Sequence, residues 1–172
     1  VARHQAELDE TAAGCAGPAL AVPADVTDPD QIEAAYVTIE RRWGPVEVLV
    51  AGAGAGHSAR IERTTDADWQ RMLDLNLTAP FRCIRRAVPA MRAAGWGRIV
   101  VIASSAARIG EPYLAAYTAS KHGVLGLVRS VGPASSWIRA QASSDQAYSR
   151  SIQAFRSASF SKSDCRLLAR AS

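Results

Sequence analysis

Tyr117 and Lys121 stand four residues apart in the stretch Tyr117-Thr118-Ala119-Ser120-Lys121. On a helix that spacing makes a phenol and an ammonium neighbours on one face. A free phenol ionises near pH 10 and a nearby cation favours the phenolate, so bringing ionisation down to neutrality takes about 4 kcal/mol of differential stabilisation. A solvated lysine alone does not supply that. A desolvated cleft and a second positive charge would complete it, giving a phenol that exchanges a proton with a carbonyl or an alcohol. Surface helix pairs share the same spacing, so the surroundings decide. Ser104 lies thirteen residues before Tyr117, directly after the apolar run 99–103. A hydroxyl there is either an ordinary turn residue or a group presented to a ligand at the carboxyl end of a strand.

The elements that must position these groups follow from periodicity. Residues 2–13 have helix-forming composition and stop near Gly14, while 19–24 is a short apolar run bounded by prolines, which predicts a buried strand. Thr27 and Asp28 offer an N-cap ahead of Pro29. Ile32, Ala35, Tyr36, Ile39 and Trp43 then recur at helical spacing until Gly44-Pro45, predicting a helix over 29–43. The apolar run 46–51 breaks into Gly52, Gly54 and Gly56, which predicts a strand opening into a loop. From Thr65 or Asp66 a long helical pattern passes Trp69, Met72, Leu77, Phe81, Ile84 and Val88 to Gly95, with Pro80 and Pro89 as interruptions. Residues 99–103 predict the third strand and 113–131 the last helix. Strands that are apolar throughout, alternating with helices, specify a parallel sheet covered on both faces. That is a doubly wound α/β architecture, whose ligands bind beyond the carboxyl ends of the strands.

Ile102-Ala103-Ser104-Ser105, the thirteen-residue gap, and Tyr117 to Lys121 followed by Gly123 and Gly126 together resemble the short-chain dehydrogenase/reductase family. The resemblance implies a Rossmann-like sheet and a nicotinamide-dependent oxidoreductase that interconverts a secondary alcohol and a ketone. It selects Ser104 over Ser105, because Ser104 has the family's gap to the tyrosine. Ser104 would hold the substrate oxygen, Tyr117 would be the acid/base, and Lys121 would make the phenol more acidic and hold the ribose. Asn76, in Leu75-Asn76-Leu77, would keep a water beside the lysine for a proton relay. Asp25-Val26 resembles the family's adenine-contacting pair, and Ala53-Gly54 its loop against the cofactor. Arg3 stands where NADP-preferring relatives carry an arginine for the 2′-phosphate, which favours NADP over NAD; an ordinary solvated arginine is the alternative. The implied cofactor-binding set is Arg3, Asp25, Val26, Ala53, Gly54, Tyr117 and Lys121.

The chain also departs from the family. Ala51-Gly52-Ala53-Gly54 stands where the family carries Asn-Asn-Ala-Gly, so hydrogen bonds to the neighbouring strands are expected to be lost. Reading Gly52-Ala53-Gly54 as a dinucleotide fingerprint fails, because the third glycine position holds His57 and no helix follows promptly. The family's first strand, glycine-rich turn and helix, which cradle a pyrophosphate, have no counterpart; a fragment incomplete at both ends, with poor cofactor affinity, is expected. After Ser130 the family adds a strand, a Pro-Gly loop and a substrate lid. Here Gly132-Pro133-Ala134-Ser135-Ser136 opens a Ser-, Arg- and Ala-rich stretch without apolar periodicity. Residues 1–131 are accordingly assigned to a partial Rossmann-like domain, and 132–172 to a divergent tail that is disordered or aberrant.

Composition narrows the remaining classes. A chain of 172 residues with 48% hydrophobic residues suits one globular domain. The net charge of +4 lies wholly in 131–172, which holds six basic and two acidic residues and leaves fourteen of each in the body. A basic face for nucleic acid is therefore not supported. No apolar run reaches the roughly eighteen residues of a membrane helix, and the first ten residues do not resemble a signal, so a soluble cytoplasmic protein is expected. Cys15, Cys83 and Cys165 have no close pairing and read as small buried hydrophobes; His4, His57 and His122 are too dispersed for a metal set, and no metal is expected. Trp43, Trp69 and Trp96 are expected at helix ends, and Arg82, Arg85 and Arg86 on a solvated face. The expected partners are a small-molecule alcohol or ketone and, by resemblance, further copies of the chain. A second class stays open: a non-catalytic α/β remnant or interaction module that binds no dinucleotide.

Overall fold

The structure, a computed structural model, describes residues 1–131 and 138–143. In chain order these form α1 (Gln5–Ala13), α2 (Pro29–Trp43), β1 (Val48–Ala51), α3 (Asp66–Leu73), α4 (Ala79–Ala94), β2 (Gly97–Ile102), α5 (Ala115–Val131) and β3 (Ile138–Ser143). Short 3-10 turns at Ile61–Arg63 and Ser105–Ala107 and a wide π turn at Asp74–Thr78 lie between them. The three strands lie side by side in sequence order, all parallel, with Val48 opposite Arg98 and Gly97 opposite Ile138. Parallel neighbours need a crossover. Helices α3 and α4 supply the first and α5 the second, which gives the expected α/β architecture on a parallel sheet.

Local chemistry sets the helix ends. Asp28 caps α2, its carboxylate accepting from the N–H groups of Asp30 at 2.9 Å and Gln31 at 3.3 Å, and Pro29 occupies the first turn. Gly44, at φ 82°, ends that helix in a region that favours glycine. The Thr65 hydroxyl accepts from Asp68 N–H at 3.1 Å and starts α3. Ile32, Ala35, Tyr36 and Ile39 bury one face of α2, and Ile84, Ala87 and Met91 one face of α4. Both faces meet Leu49, Ile99 and Val101 of the sheet in one core that Val124 and Val128 of α5 complete. The approach of α4 to the sheet is close: a Cβ on Gly97 would lie 2.6 Å from Met91 Sδ. No helix among the described residues is long and apolar enough to cross a membrane.

Several expectations are corrected. Residues 19–24 form no strand; Pro23 makes a single parallel bridge to Ala2. The α4 arginines are not a solvated face. Arg86 pairs with Glu33 and Glu40 of α2, each at 2.7 Å, with its guanidinium 5.0 Å from the centre of the Tyr36 ring. Arg82 donates to the Thr27 carbonyl at 2.6 Å, while Arg85 stays exposed over Phe81. Acidic residues of α2 face α4, so these charges pair rather than hydrate. Trp69 is exposed on α3, and Cys15 is exposed with its thiol donating to Thr11 O. Cys83 is half-buried, and burial pushes its thiol up to about 11.

Six residues within the stretch assigned to a tail lie among those described. Ile138–Ser143 pair in parallel along the whole of β2, whose edge offers its backbone N–H and C=O groups. The rest of 132–172, including Cys165, lies outside the described residues.

Candidate active site

Tyr117 and Lys121 sit one turn apart on α5, at the carboxyl end of β2. The helix begins later than expected, after Tyr113, whose φ of 67° lies in the left-handed region uncommon for an aromatic residue. The Tyr113 carbonyl accepts from Ala59 N–H at 2.8 Å, joining the loop after β1 to the start of α5. Lys121 is 5% exposed; its Nζ donates to the Ile102 carbonyl at 3.0 Å and lies 5.7 Å from the centre of the Tyr117 ring. Ile102 ends β2, so the sheet orients the ammonium and the helix orients the phenol beside it.

Asn76 lies in the π turn and is 1% exposed. Its Nδ2 donates to the Ala55 carbonyl at 3.0 Å and its Oδ1 accepts from Ala55 N–H at 3.2 Å, while Met72 Sδ stands 3.7 Å from Nδ2. The side chain therefore grips the backbone of the loop after β1 at both polar atoms. One residue earlier, a Cβ on Gly54 would lie 3.0 Å from Asn76 Oδ1 and 3.3 Å from Lys121 Nζ. Gly54, Asn76 and Lys121 converge on one spot that a side chain at position 54 would fill.

Ser104 follows β2 and is half-buried, whereas Ser105 is exposed. The Ser104 Oγ accepts from Ala106 N–H at 3.2 Å and caps the Ser105–Ala107 turn, while the Ser105 hydroxyl faces Glu111 at 3.4 Å. No acceptor among the described residues takes the Ser104 O–H, which leaves that proton able to donate to a ligand oxygen. At the start of α5, residues 59–62 and Glu111, Tyr113 and Ala115 line an open cleft of about 340 Å³.

The remaining expected residues lie apart from the phenol and ammonium. Val26 and Ala53 border a small apolar cleft of about 70 Å³, with Val1, Tyr36 and Gly52. Asp25 turns inward on its own loop: Oδ1 accepts from the Thr27 hydroxyl at 2.7 Å and Thr27 N–H at 2.8 Å. Those bonds, the hydroxyl first, hold its carboxyl below the usual range, and the charge of exposed Arg3 adds to the effect. The structure thus brings together Gly54, Asn76, Lys121 and Tyr117, and sets Arg3, Asp25 and Val26 elsewhere. Sequence reasoning missed the two acceptors that fix the site, the carbonyls of Ile102 and Ala55. Backbone groups carry no residue-type signal.

The exposed Gly54 backbone beside the Lys121 ammonium suits the ribose of a dinucleotide. Small residues at 52–54 let another molecule reach the backbone, Gly54 lies open beside a cation, and Val26 and Ala53 share an apolar cleft.

Residues 1–136 match the sequence profile described as short chain dehydrogenase. The chain is 38% identical over 123 residues to D-beta-hydroxybutyrate dehydrogenase of Rhizobium meliloti, covering 72% of this chain and 48% of that protein. It is 35% identical over 128 residues to 3-oxoacyl-(acyl-carrier-protein) reductase MabA of Mycobacterium bovis, covering 74% of this chain and 52% of that one. Among solved structures, a gluconate 5-dehydrogenase from Burkholderia cenocepacia, in complex with NADP and tartrate, superposes with a TM-score of 0.67 at 27% identity. The match covers 72% of this chain and 49% of that one. The chain spans about half the length of the curated relatives it matches.

Proposed function

The chain belongs to the short chain dehydrogenase family, and from that premise we propose that it carries the proton-transfer centre of an oxidoreductase interconverting a secondary alcohol and a ketone. Its cofactor is NADP or NAD, with Arg3 favouring NADP. When bound, the nicotinamide exchanges a hydride with the substrate carbon. Tyr117 passes its proton to the substrate oxygen in reduction and takes it back in oxidation. The Ser104 O–H donates to that same oxygen and polarises it. Lys121 stabilises the phenolate and faces the ribose, and Asn76 Oδ1, beside the ammonium, takes part in the relay that returns a proton to the phenol. Asp25 and Val26 face the adenine, and Ala53 and Gly54 give the cofactor a close backbone surface. The cleft of about 340 Å³ at the start of α5 receives the rest of a small-molecule substrate. Assembly with further copies of the chain and a cytoplasmic location belong to the same reading.

The observation that carries this reading is the buried Lys121 ammonium, 5.7 Å from the Tyr117 ring and beside Gly54 and Asn76. Titration with NADPH and NADH, and reduction of a panel of small ketones, test it with Tyr117→Phe as control. Binding with turnover that Tyr117→Phe abolishes is the expected result. Equal background rates in both proteins, without dinucleotide binding, would leave a non-catalytic α/β module instead.

A further inference from the structure

His57 has no part in the roles above, yet its ring joins the loop after β1 to α3. Nε2 lies 3.6 Å from Asp68 Oδ2, and Nδ1 lies 3.5 Å from Arg71 Nη2. Asp68 is itself held: the Thr65 hydroxyl donates to Oδ2 at 2.7 Å and Arg71 Nη2 to Oδ1 at 2.8 Å. The Thr65 hydroxyl foremost keeps the Asp68 carboxyl below the usual range, so it faces the ring as an anion at neutral pH. An imidazole protonated on Nε2 suits both neighbours, its N–H toward the carboxylate and its Nδ1 lone pair toward the guanidinium. Nε2 is closed off from solvent and has no hydrogen-bond partner among the described residues; the Asp68 carboxylate, 3.6 Å away, faces it as a charge rather than through a hydrogen bond.

Two other points hold the same loop. Ala55 is bonded to Asn76 and Ala59 to the Tyr113 carbonyl, with His57 midway. Gly56 gives the backbone between Ala55 and His57 little stiffness of its own. The first turns of α3 therefore anchor His57, while the π turn beyond its far end anchors Ala55.

We propose that His57 is a positioning residue: seated between Asp68 and Arg71, it holds Ala55 against Asn76 and so keeps the Gly54 backbone beside Lys121. Its bearing on activity rests on the reading of Gly54, Asn76 and Lys121 as the dinucleotide-facing set.

Amide hydrogen exchange in the whole chain tests this, read at Ala55 and, for comparison, at Ile99, Val100 and Val101 in β2. His57→Ala is expected to speed exchange at Ala55 roughly tenfold or more while the β2 amides keep their rates. His57→Gln, which retains a side-chain N–H able to reach Asp68, recovers most of the protection. Asp68→Ala reproduces the loss, and combining it with His57→Ala adds little, because both act through one contact. Unchanged exchange at Ala55, additive effects of the two variants, or equal acceleration across β2 overturns the proposal. So does loss of the fold in His57→Ala, which would reveal a general stabilising role. NADPH titration of the unaltered chain runs alongside. Absence of binding there defeats the oxidoreductase reading and leaves the exchange rates to judge His57.

Discussion

Lys121 Nζ donates to the carbonyl oxygen of Ile102 at 3.0 Å, so a residue of α5 is aimed by the last residue of β2. The charge is set beside Tyr117 without help from a ligand. Lys121→Met removes both the charge and the tie to the strand, and it is expected to weaken NADPH binding and lower ketone reduction together. Tyr117→Phe keeps the ring beside Lys121 and should spare binding while lowering turnover roughly 10²–10⁴-fold. Separate binding and turnover measurements distinguish the two effects.

Gly97 lies under Met91. A Cβ there would meet Sδ, Cγ and Cβ of that side chain at 2.6, 2.7 and 2.8 Å. Rotation of the sulfur alone does not relieve such a contact, so Gly97→Ala is expected to destabilise the fold by about 1–3 kcal/mol. In urea denaturation Gly97→Ala should cost less in a Met91→Ala background than in the unaltered chain, the coupling expected of two groups in contact.

Arg86 bridges α4 to α2 through Glu33 and Glu40 across the Tyr36 ring. Arg86→Ala leaves Glu40, whose side chain is 25% exposed, without this partner, and is expected to cost about 1–3 kcal/mol. Glu33, 55% exposed, contributes less, and Glu33→Ala should cost under about 1 kcal/mol. Unfolding midpoints of the two variants check the order.

Acid should weaken the fold through its capped aspartates. Thr27 holds the Asp25 carboxyl below its ordinary value of 3.8, and Asp28 and Asp68 are shifted the same way by their own hydrogen bonds. Above pH 3.8 the folded and unfolded forms are both ionised and the stabilisation is complete. As pH falls further the unfolded chain takes up its proton first, and the stabilisation is lost as pH passes the lower value of the folded group. Thermal melting at pH 3 against pH 6 should therefore show a drop that Asp25→Asn makes smaller.

Where a residue's own chemistry decides the outcome, the sequence was readable. Asp28-Pro29 and Gly44 bound α2 as expected, and the spacing of Tyr117 and Lys121 puts them side by side on α5. Where the outcome depends on what lies opposite, it was not. The run 19–24 is apolar enough for a strand, yet it bridges Ala2 at one residue only. Arg82 and Arg86 have the spacing of a solvated face, but Glu33 and Glu40 of α2 and the Thr27 carbonyl just before that helix face them. Ile138–Ser143 has weak apolar character and pairs through its backbone, which the edge of β2 decides. The hold of Asn76 on Ala55 depends on a loop bend that residue types do not encode.

The π turn at Asp74–Thr78 also governs the rotational phase of everything after it. Each residue turns a helix by about 100°, so one additional residue in the turn swings α4 that far relative to α3. Ile84, Ala87 and Met91 point into the core only in that phase. Removing a single residue between 74 and 78 would wind the junction back to a regular helix and rotate those side chains away from the sheet. Chain length at this junction is thus more tightly constrained than the identity of its partly buried residues.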